Sequence, residues 1–341
     1  MMENTHNKIL ALDSLTVGYR TGTVTNSLLP AFTVEVARGE SIAIIGENGV
    51  GKSTLLRSIA GLQRELGGNV FIKGQNLKEY SRYELAKNIG YISTEPVRVS
   101  NMSVTNLVRL GRYPHTGWTG KLTDEDHSLV SEAISMVGIE ALADRYINEL
   151  SDGERQRAMI ARTLAQDADI LIMDEPTAFL DVRSRYEIVH LLHELSVNRS
   201  KTVLFSTHDM LTAIGESDRI WLLFRDSFVE GAPEDLALKG SFEKLFRGSV
   251  VKFNTADATF SYSKLYHGKV CIEGDGPARY WTEKAAGRAG YEISESVPGI
   301  KIKIVNSVNG IRWIAVSGSS TNEMASLYEL VKWLRLNKER N

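Results

Sequence analysis

One cysteine, Cys271, is all that the 341 residues contain. That excludes an internal disulfide framework and suits a reducing compartment. An excess of one charge is missing too. The 40 Lys and Arg balance 42 Asp and Glu to a formal net charge of −2, so whole-chain electrostatics give no reason to expect nucleic acid or an anionic membrane as a partner. No apolar run approaches the ~20 residues needed to cross a bilayer. The first eight residues are polar and lack the apolar stretch of a secretory signal. There is no internal repeat, no low-complexity tract and no sustained heptad pattern that would make a long coiled-coil insertion. The expectation is a cytoplasmic protein, free to dock on a membrane partner. With 43% hydrophobic and 24% charged residues, the chain is long enough for two ordinary domains.

What is present centres on Gly46-Glu47-Asn48-Gly49-Val50-Gly51-Lys52-Ser53-Thr54. Ile42-Ala43-Ile44-Ile45 precedes it and reads as a buried strand, and Leu55 to Ala60 follows as a helix. Strand, glycine-rich loop and helix in that order make a phosphate cradle. Glycines let backbone N–H groups turn inward, and a helix starting near Lys52 adds the positive end of its dipole. Lys52 is then placed to reach the β- and γ-phosphates, and the Ser53 hydroxyl to sit on Mg²⁺. The plainer reading is a turn between a strand and a helix. The loop alone does not separate a kinase, a GTPase, a motor or a transporter.

Around this loop the pattern is mixed. Leu15 to Tyr19 and Phe32 to Val36 alternate like half-exposed strands, and Asn69 to Gly74 and Ile89 to Ile92 read as further short strands. Ser81-Arg82-Tyr83-Glu84 has capping-box spacing. From Ser103 to about Tyr146 the chain reads as a helical insertion, capped at Thr123-Asp124-Glu125-Asp126, with Leu129, Ala133, Met136 and Val137 on one face and Gly138 as its stop. Beta-alpha alternation then resumes. Ile170 to Met173, Thr202 to Phe205 and Arg219 to Phe224 read as strands of a mostly parallel sheet, with helical periodicity through Ile188, Leu191, Leu192 and Leu195. From Gly268 a small α+β unit follows. Its expected order is strand, helix, strand, strand, helix, with Asn309-Gly310 as a hairpin turn and Met324 to Leu336 as the closing helix. The expected division is a domain over residues 1–247, with a helical subdomain at about 95–165, and a second domain over 248–341.

Asp174-Glu175 ends the apolar run at Ile170 to Met173, the edge of a parallel sheet where ligands bind. Asp174 is suited to hold Mg²⁺, and Glu175 to polarise an attacking water. Ser151 and Glu154 form a further capping box; it is either only a well-capped helix or a second anion site. His190 and His193 lie one turn apart but lack a third ligand nearby, so a solvated helix face is expected rather than a metal pair. Cys271, Trp281, Trp313 and Trp333 are expected in the core of the small unit.

Together the phosphate loop, Leu150 to Gln156, Asp174-Glu175, Ala178-Phe179-Leu180-Asp181 and Ser206-Thr207-His208-Asp209 resemble, in order and spacing, the ATP-binding subunits of ABC transporters over about residues 9–240. The resemblance implies an α/β P-loop cassette with an antiparallel β subdomain and a helical subdomain. It implies ATP hydrolysis with Mg²⁺ and a homodimer that buries two ATP molecules. Tyr19 would stack on adenine. Ser151 and Gly153 would touch the γ-phosphate of ATP bound to the other copy. Asp181 would connect the two sites, and His208 would contact the γ-phosphate. Where the family usually has Gln as a sensor of metal and γ-phosphate, this chain has Thr94 followed by Glu95. Asp152 and Glu154 also replace the commoner Gly and Gln, and Asp152 is expected to face outward.

Val104 to Trp118, with Leu110-Gly111-Arg112-Tyr113-Pro114-His115, resembles the segment found in ATPases of importers for iron–siderophores, haem and cobalamin. Its aromatics either line a groove for a permease helix or face the core. The implied partners are transmembrane permease subunits and, indirectly, a substrate-binding protein, with no nucleic acid. The implied location is peripheral, on the inner face of the membrane. The competing readings are a soluble ABC ATPase with no transport role and a nucleotide-gated binding module with weak hydrolysis. The second domain would regulate the cassette or add to the dimer interface.

Overall fold

The computed structural model describes residues 8–22, 24–93, 101–117, 120–178, 180–255, 258–262, 265–295, 299–307 and 310–337. It divides into two compact units, Met1–Gly248 with Phe253–Thr259, and Ser249–Lys252 with Phe260–Asn341.

The first unit opens with β1 (Lys8–Thr16), β2 (Gly18–Thr21), β3 (Val24–Ser27), β4 (Phe32–Ala37) and β5 (Ser41–Gly46), then α1 (Lys52–Ile59), β6 (Gly67–Ile72) and β7 (Gln75–Asn76). After α2 (Arg82–Asn88) and β8 (Ile89–Ile92) come three helices, α3 (Val104–Arg109), α4 (Asp124–Met136) and α5 (Asp152–Ala165). The unit continues through β9 (Ile170–Met173), α6 (Val182–Arg199), β10 (Thr202–Ser206), α7 (Met210–Glu216), β11 (Arg219–Leu223), β12 (Phe228–Gly231) and α8 (Pro233–Leu238). Its main sheet has the order β12-β11-β5-β10-β9-β8, with β12 antiparallel and the rest parallel. A second, antiparallel sheet runs β4-β1-β6-β7.

Alternation along the parallel strands explains why they read as continuous apolar runs. Ile42, Ile44, Ile170, Ile172, Leu204 and Trp221 turn toward α1 and the antiparallel sheet. Their neighbours Ala43, Ile45, Leu171, Met173, Val203 and Phe205 turn to the opposite face, where α3 to α8 pack. Both faces are therefore dry, as parallel strands require. On α4 the buried apolar positions are Val130, Ala133 and Ile134, with Val137 buried at the cap; of the expected face Ala133 and Val137 are buried, while Leu129 and Met136 are half-buried and Val130 and Ile134 take the inner places. The capping box at Thr123 and Asp126 and the left-handed Gly138 stand as expected.

The strands β13 (Val251–Asn254) and β14 (Thr259–Tyr262) form a two-stranded ribbon ahead of the main sheet of the second unit. That unit contains β15 (Gly268–Glu273), α9 (Gly276–Arg288), β16 (Tyr291–Ile293), β17 (Ile300–Ser307), β18 (Gly310–Ser317), β19 (Ser320–Met324) and α10 (Leu327–Leu336). The sheet order is β16-β15-β17-β18-β19. Two strands were not anticipated. β16 has only three residues, and β19 is a polar edge strand in which only Met324 is buried, so neither shows a clear alternation. Met324 therefore ends a strand, and the last helix begins at Leu327 behind the cap Ser326. Trp313 is buried and donates its indole N–H to Thr282 Oγ1 at 2.8 Å. Trp281 is 60% exposed, so it is not core. It sits on α9 one residue before the buried Thr282 and three before the exposed Lys284, on the outer side of the helix. Cys271 is half-buried, because its side chain alternates with those of Val270 and Ile272, which fill the core. Asn309 of the expected turn lies outside the described residues; β17 and β18 pair on either side of it.

Candidate nucleotide site

Strand β5 delivers the chain to Gly46, where a Cβ would lie 2.7 Å from the Leu223 carbonyl oxygen and 2.9 Å from Val50 Cγ1. Only glycine lets the loop close this tightly over the sheet. Gly49 and Gly51 take φ of +76° and +115°, the left-handed region that turns the loop into α1. Lys52 is buried, and its amine donates to the carbonyls of Gly46 at 2.9 Å and Glu47 at 3.2 Å. Burial pushes the Lys52 pKa down, and the facing Glu175 and Asp174 carboxylates oppose that. The loop lysine and the two carboxylates thus share one electrostatic site. Beside it, the half-exposed Tyr19 on β2 reaches α1 through a 2.6 Å hydroxyl contact with Thr54 Oγ1. Ser53 is exposed on the first turn of α1.

Asp174 and Glu175 follow β9, and Ser206 to Asp209 follow the neighbouring strand β10. The Ser206 hydroxyl ties the two ends together. It donates to Asp174 Oδ1 at 2.7 Å and accepts the Glu175 N–H at 2.8 Å. Glu175 stands at φ +50°, an uncommon backbone for a residue with a side chain. Its Oε1 lies 2.7 Å from His208 Nε2. Asp174 is 1% exposed, and its Oδ2 is buried with no hydrogen-bond partner among the described residues. A buried, unsatisfied carboxylate oxygen is costly unless something cationic meets it. The donor set therefore fits a hard divalent cation such as Mg²⁺.

Ser151, Gly153 and Asp181 form a second group, with no hydrogen bond to Lys52, Asp174, Glu175 or His208 among the described residues. Ser151 caps α5, and the Glu154 carboxylate accepts both the Ser151 N–H and its hydroxyl at 2.8 Å. Those bonds hold Glu154 below the usual carboxylate range. Asp152 is exposed and pairs with Arg155 at 2.7 Å, facing outward as expected. A Cβ on Gly153 would come 3.6 Å from Leu180 Cδ2, so α5 starts against the residues that precede α6. Asp181 caps α6 by accepting the Ser184 N–H at 2.7 Å. Thr94, Glu95, Trp118 and Phe179 lie outside the described residues.

In the segment after α3 the described aromatic lies on the surface rather than in the core. Leu110 and Tyr113 are exposed, while Arg112 is buried, donating to Asp126 Oδ1 at 2.7 Å and the Ala165 carbonyl at 2.8 Å. Three features were missed in the sequence. One is the tie that Ser206, named above only as part of a motif, makes to Asp174 and Glu175, legible only once β9 and β10 are known to be neighbours. Another is Arg185, described below. The third is a groove of about 430 Å³ lined by Ala60, Gly61, Leu62, Leu85, Ile89 and Tyr91.

A family model described as ABC transporter matches residues 29–178, and one described as iron ABC transporter C-terminal domain matches residues 267–335. The chain is 32% identical over 259 residues to the achromobactin transport ATP-binding protein of Dickeya dadantii, covering 76% of this chain and 92% of that protein. The chain belongs to the ABC transporter ATP-binding family. The ferric enterobactin transport ATP-binding protein of Escherichia coli is 35% identical over 235 residues, 69% of this chain and 85% of its own length. A dimeric ABC cassette solved in a post-hydrolysis state with ADP and Pi superposes with a TM-score of 0.59 at 28% identity, over 66% of this chain and 99% of that one. The expected fold class is therefore the observed one, an ABC ATPase cassette followed by a small α+β domain. The ABC ATPase binds ATP, and hydrolysing it is its chemistry.

Proposed function

We propose that the cassette is the ATP-hydrolysing subunit of an importer for an iron chelate, a siderophore complex foremost, with haem and cobalamin as the neighbouring cargo classes. The observation that carries this reading is the match of residues 267–335, after the cassette, to an iron ABC transporter C-terminal domain. The names of the achromobactin and enterobactin relatives support it.

In this reading two copies pair head to tail across two ATP molecules. The loop from Gly46 to Thr54 cradles the phosphates, Lys52 draws on the β- and γ-phosphates, and Tyr19 stacks on adenine. Ser151 and Gly153 of the second copy close the far side of the γ-phosphate, and Asp181 links the two sites. Glu175 orients and polarises the attacking water, and His208 holds Glu175 and the γ-phosphate together. Ser53 and Asp174 would hold Mg²⁺, with Thr94 as a further contact on sequence grounds. Bound there, the metal would neutralise charge on the phosphates. A permease element would enter the groove at Leu62 and Leu85, with exposed Leu110 and Tyr113 as additional contacts, leaving the substrate-binding protein an indirect partner. Among the described residues no helix is long and apolar enough to cross a membrane, so attachment to the inner face would run through the permease.

The test is reconstitution with a permease of the iron-chelate importer class from the same organism. ATP turnover is expected to rise when a ferric siderophore and its binding protein are supplied. Stimulation by a cargo of another class, and by no iron chelate, haem or cobalamin, would overturn the assignment.

A further inference from the structure

The loops after β9 and β10 carry most of the candidate catalytic groups, and three cross-links join them. Ser206 binds Asp174 and Glu175, and His208 meets Glu175. The third comes from Arg185, in the first turn of α6. Its Nη1 donates to Asp209 Oδ2 at 3.2 Å and its Nη2 to the Leu180 carbonyl at 3.4 Å. Leu180 immediately precedes Asp181, and Asp209 immediately follows His208.

We infer that Arg185 is a positioning residue that couples the Asp181 loop to the His208 loop and keeps His208 seated on Glu175. The inference rests on the ATPase reading of this site. Asp209 has one carboxylate oxygen for each task. Oδ1 accepts the Thr212 N–H and caps α7, while Oδ2 is left for Arg185. Its own N–H goes to Thr207 Oγ1 at 3.0 Å, which pins the residue after His208 from a second direction. The planar guanidinium presents donors in a fixed fork, so one side chain serves two acceptors on different loops. A lysine offers a point charge and cannot set that geometry. Movement of the Leu180 carbonyl is thereby passed to Asp209 through one side chain, with no need of the partner copy's own residues.

Steady-state kinetics of the full-length chain test this. Arg185→Ala is expected to lower kcat for ATP about 5- to 50-fold with KM within about twofold, since a small misplacement of a reacting group costs up to ~10²-fold. Arg185→Lys should recover only part of the loss. In a His208→Ala background the same Arg185→Ala change should cost less than about twofold, because the two residues act as one unit. Where His208→Ala is too slow to assay, the His208 imidazole signals in NMR provide the readout and should shift in Arg185→Ala. An unchanged kcat, an equal loss in both backgrounds, or unmoved His208 signals would overturn the inference. An inactive wild-type chain would instead count against the ATPase reading.

Discussion

His208 Nε2 lies 2.7 Å from Glu175 Oε1, at the ends of two neighbouring parallel strands. The pair gives the carboxylate a fixed direction, which a lone flexible glutamate would lack. Glu175→Gln keeps the shape and removes the basic group. ATP turnover is expected to fall about 10²- to 10⁴-fold while nucleotide binding persists. Single-turnover kinetics beside an ATP-binding titration would check both halves.

Asp174 provides the metal test. Its Oδ2 is buried and unpartnered among the described residues, whereas Oδ1 is occupied by Ser206. Asp174→Asn should abolish Mg²⁺-dependent turnover, and chelation with EDTA should do the same to the wild type. The variant should also lose the thermal stabilisation that Mg²⁺ with ATP confers on the wild type. Equal stabilisation of the two proteins would remove Asp174 from the metal site.

Gly111 tests packing. A Cβ there would lie 2.0 Å from the Arg162 carbonyl oxygen, on the backbone of α5. No rotamer relieves a clash with main chain, so Gly111→Ala must shift α5 or the segment after α3. A loss of about 1–3 kcal/mol in urea unfolding is expected, as for other overpacked sites.

The buried pair of Arg112 and Asp126 predicts an acid dependence. The Thr123 N–H bond to Asp126 is the main cause of a carboxyl pKa near 2; burial opposes the shift, and Arg112 adds to it. The reference value is 3.8, so between the two the unfolded chain binds the proton and the native chain does not. The stability the pair provides is complete above about pH 4 and disappears as pH falls toward 2. Asp126→Asn should flatten the acid limb of the stability profile in that window. Asp126→Ala at neutral pH leaves Arg112 buried without its partner and should cost about 3–5 kcal/mol.

Local chemistry made much of this readable in advance. The glycines at 46, 49 and 51 and the capping boxes at Ser81, Thr123 and Ser151 each act within a few residues, so pattern alone located them. Asp174-Glu175 was visible because a fully buried strand ends there. What escaped notice depends on distant pairing. Ser206 and Arg185 acquire their meaning only when β9 lies beside β10. Strand β19 is polar at nearly every position, and its place comes from pairing with β18, which no local alternation records. The hydrophobicity of Trp281 points to the core; helix phase puts Thr282 inside instead.

Cys271, the solitary thiol, faces away from the packed side of the second unit's sheet. A maleimide spin label would therefore attach once per chain, and a nucleotide-bridged pair would carry two. Pulsed dipolar spectroscopy could follow the separation of those labels through ATP loading and release, giving the second unit its own ruler without any engineered attachment point.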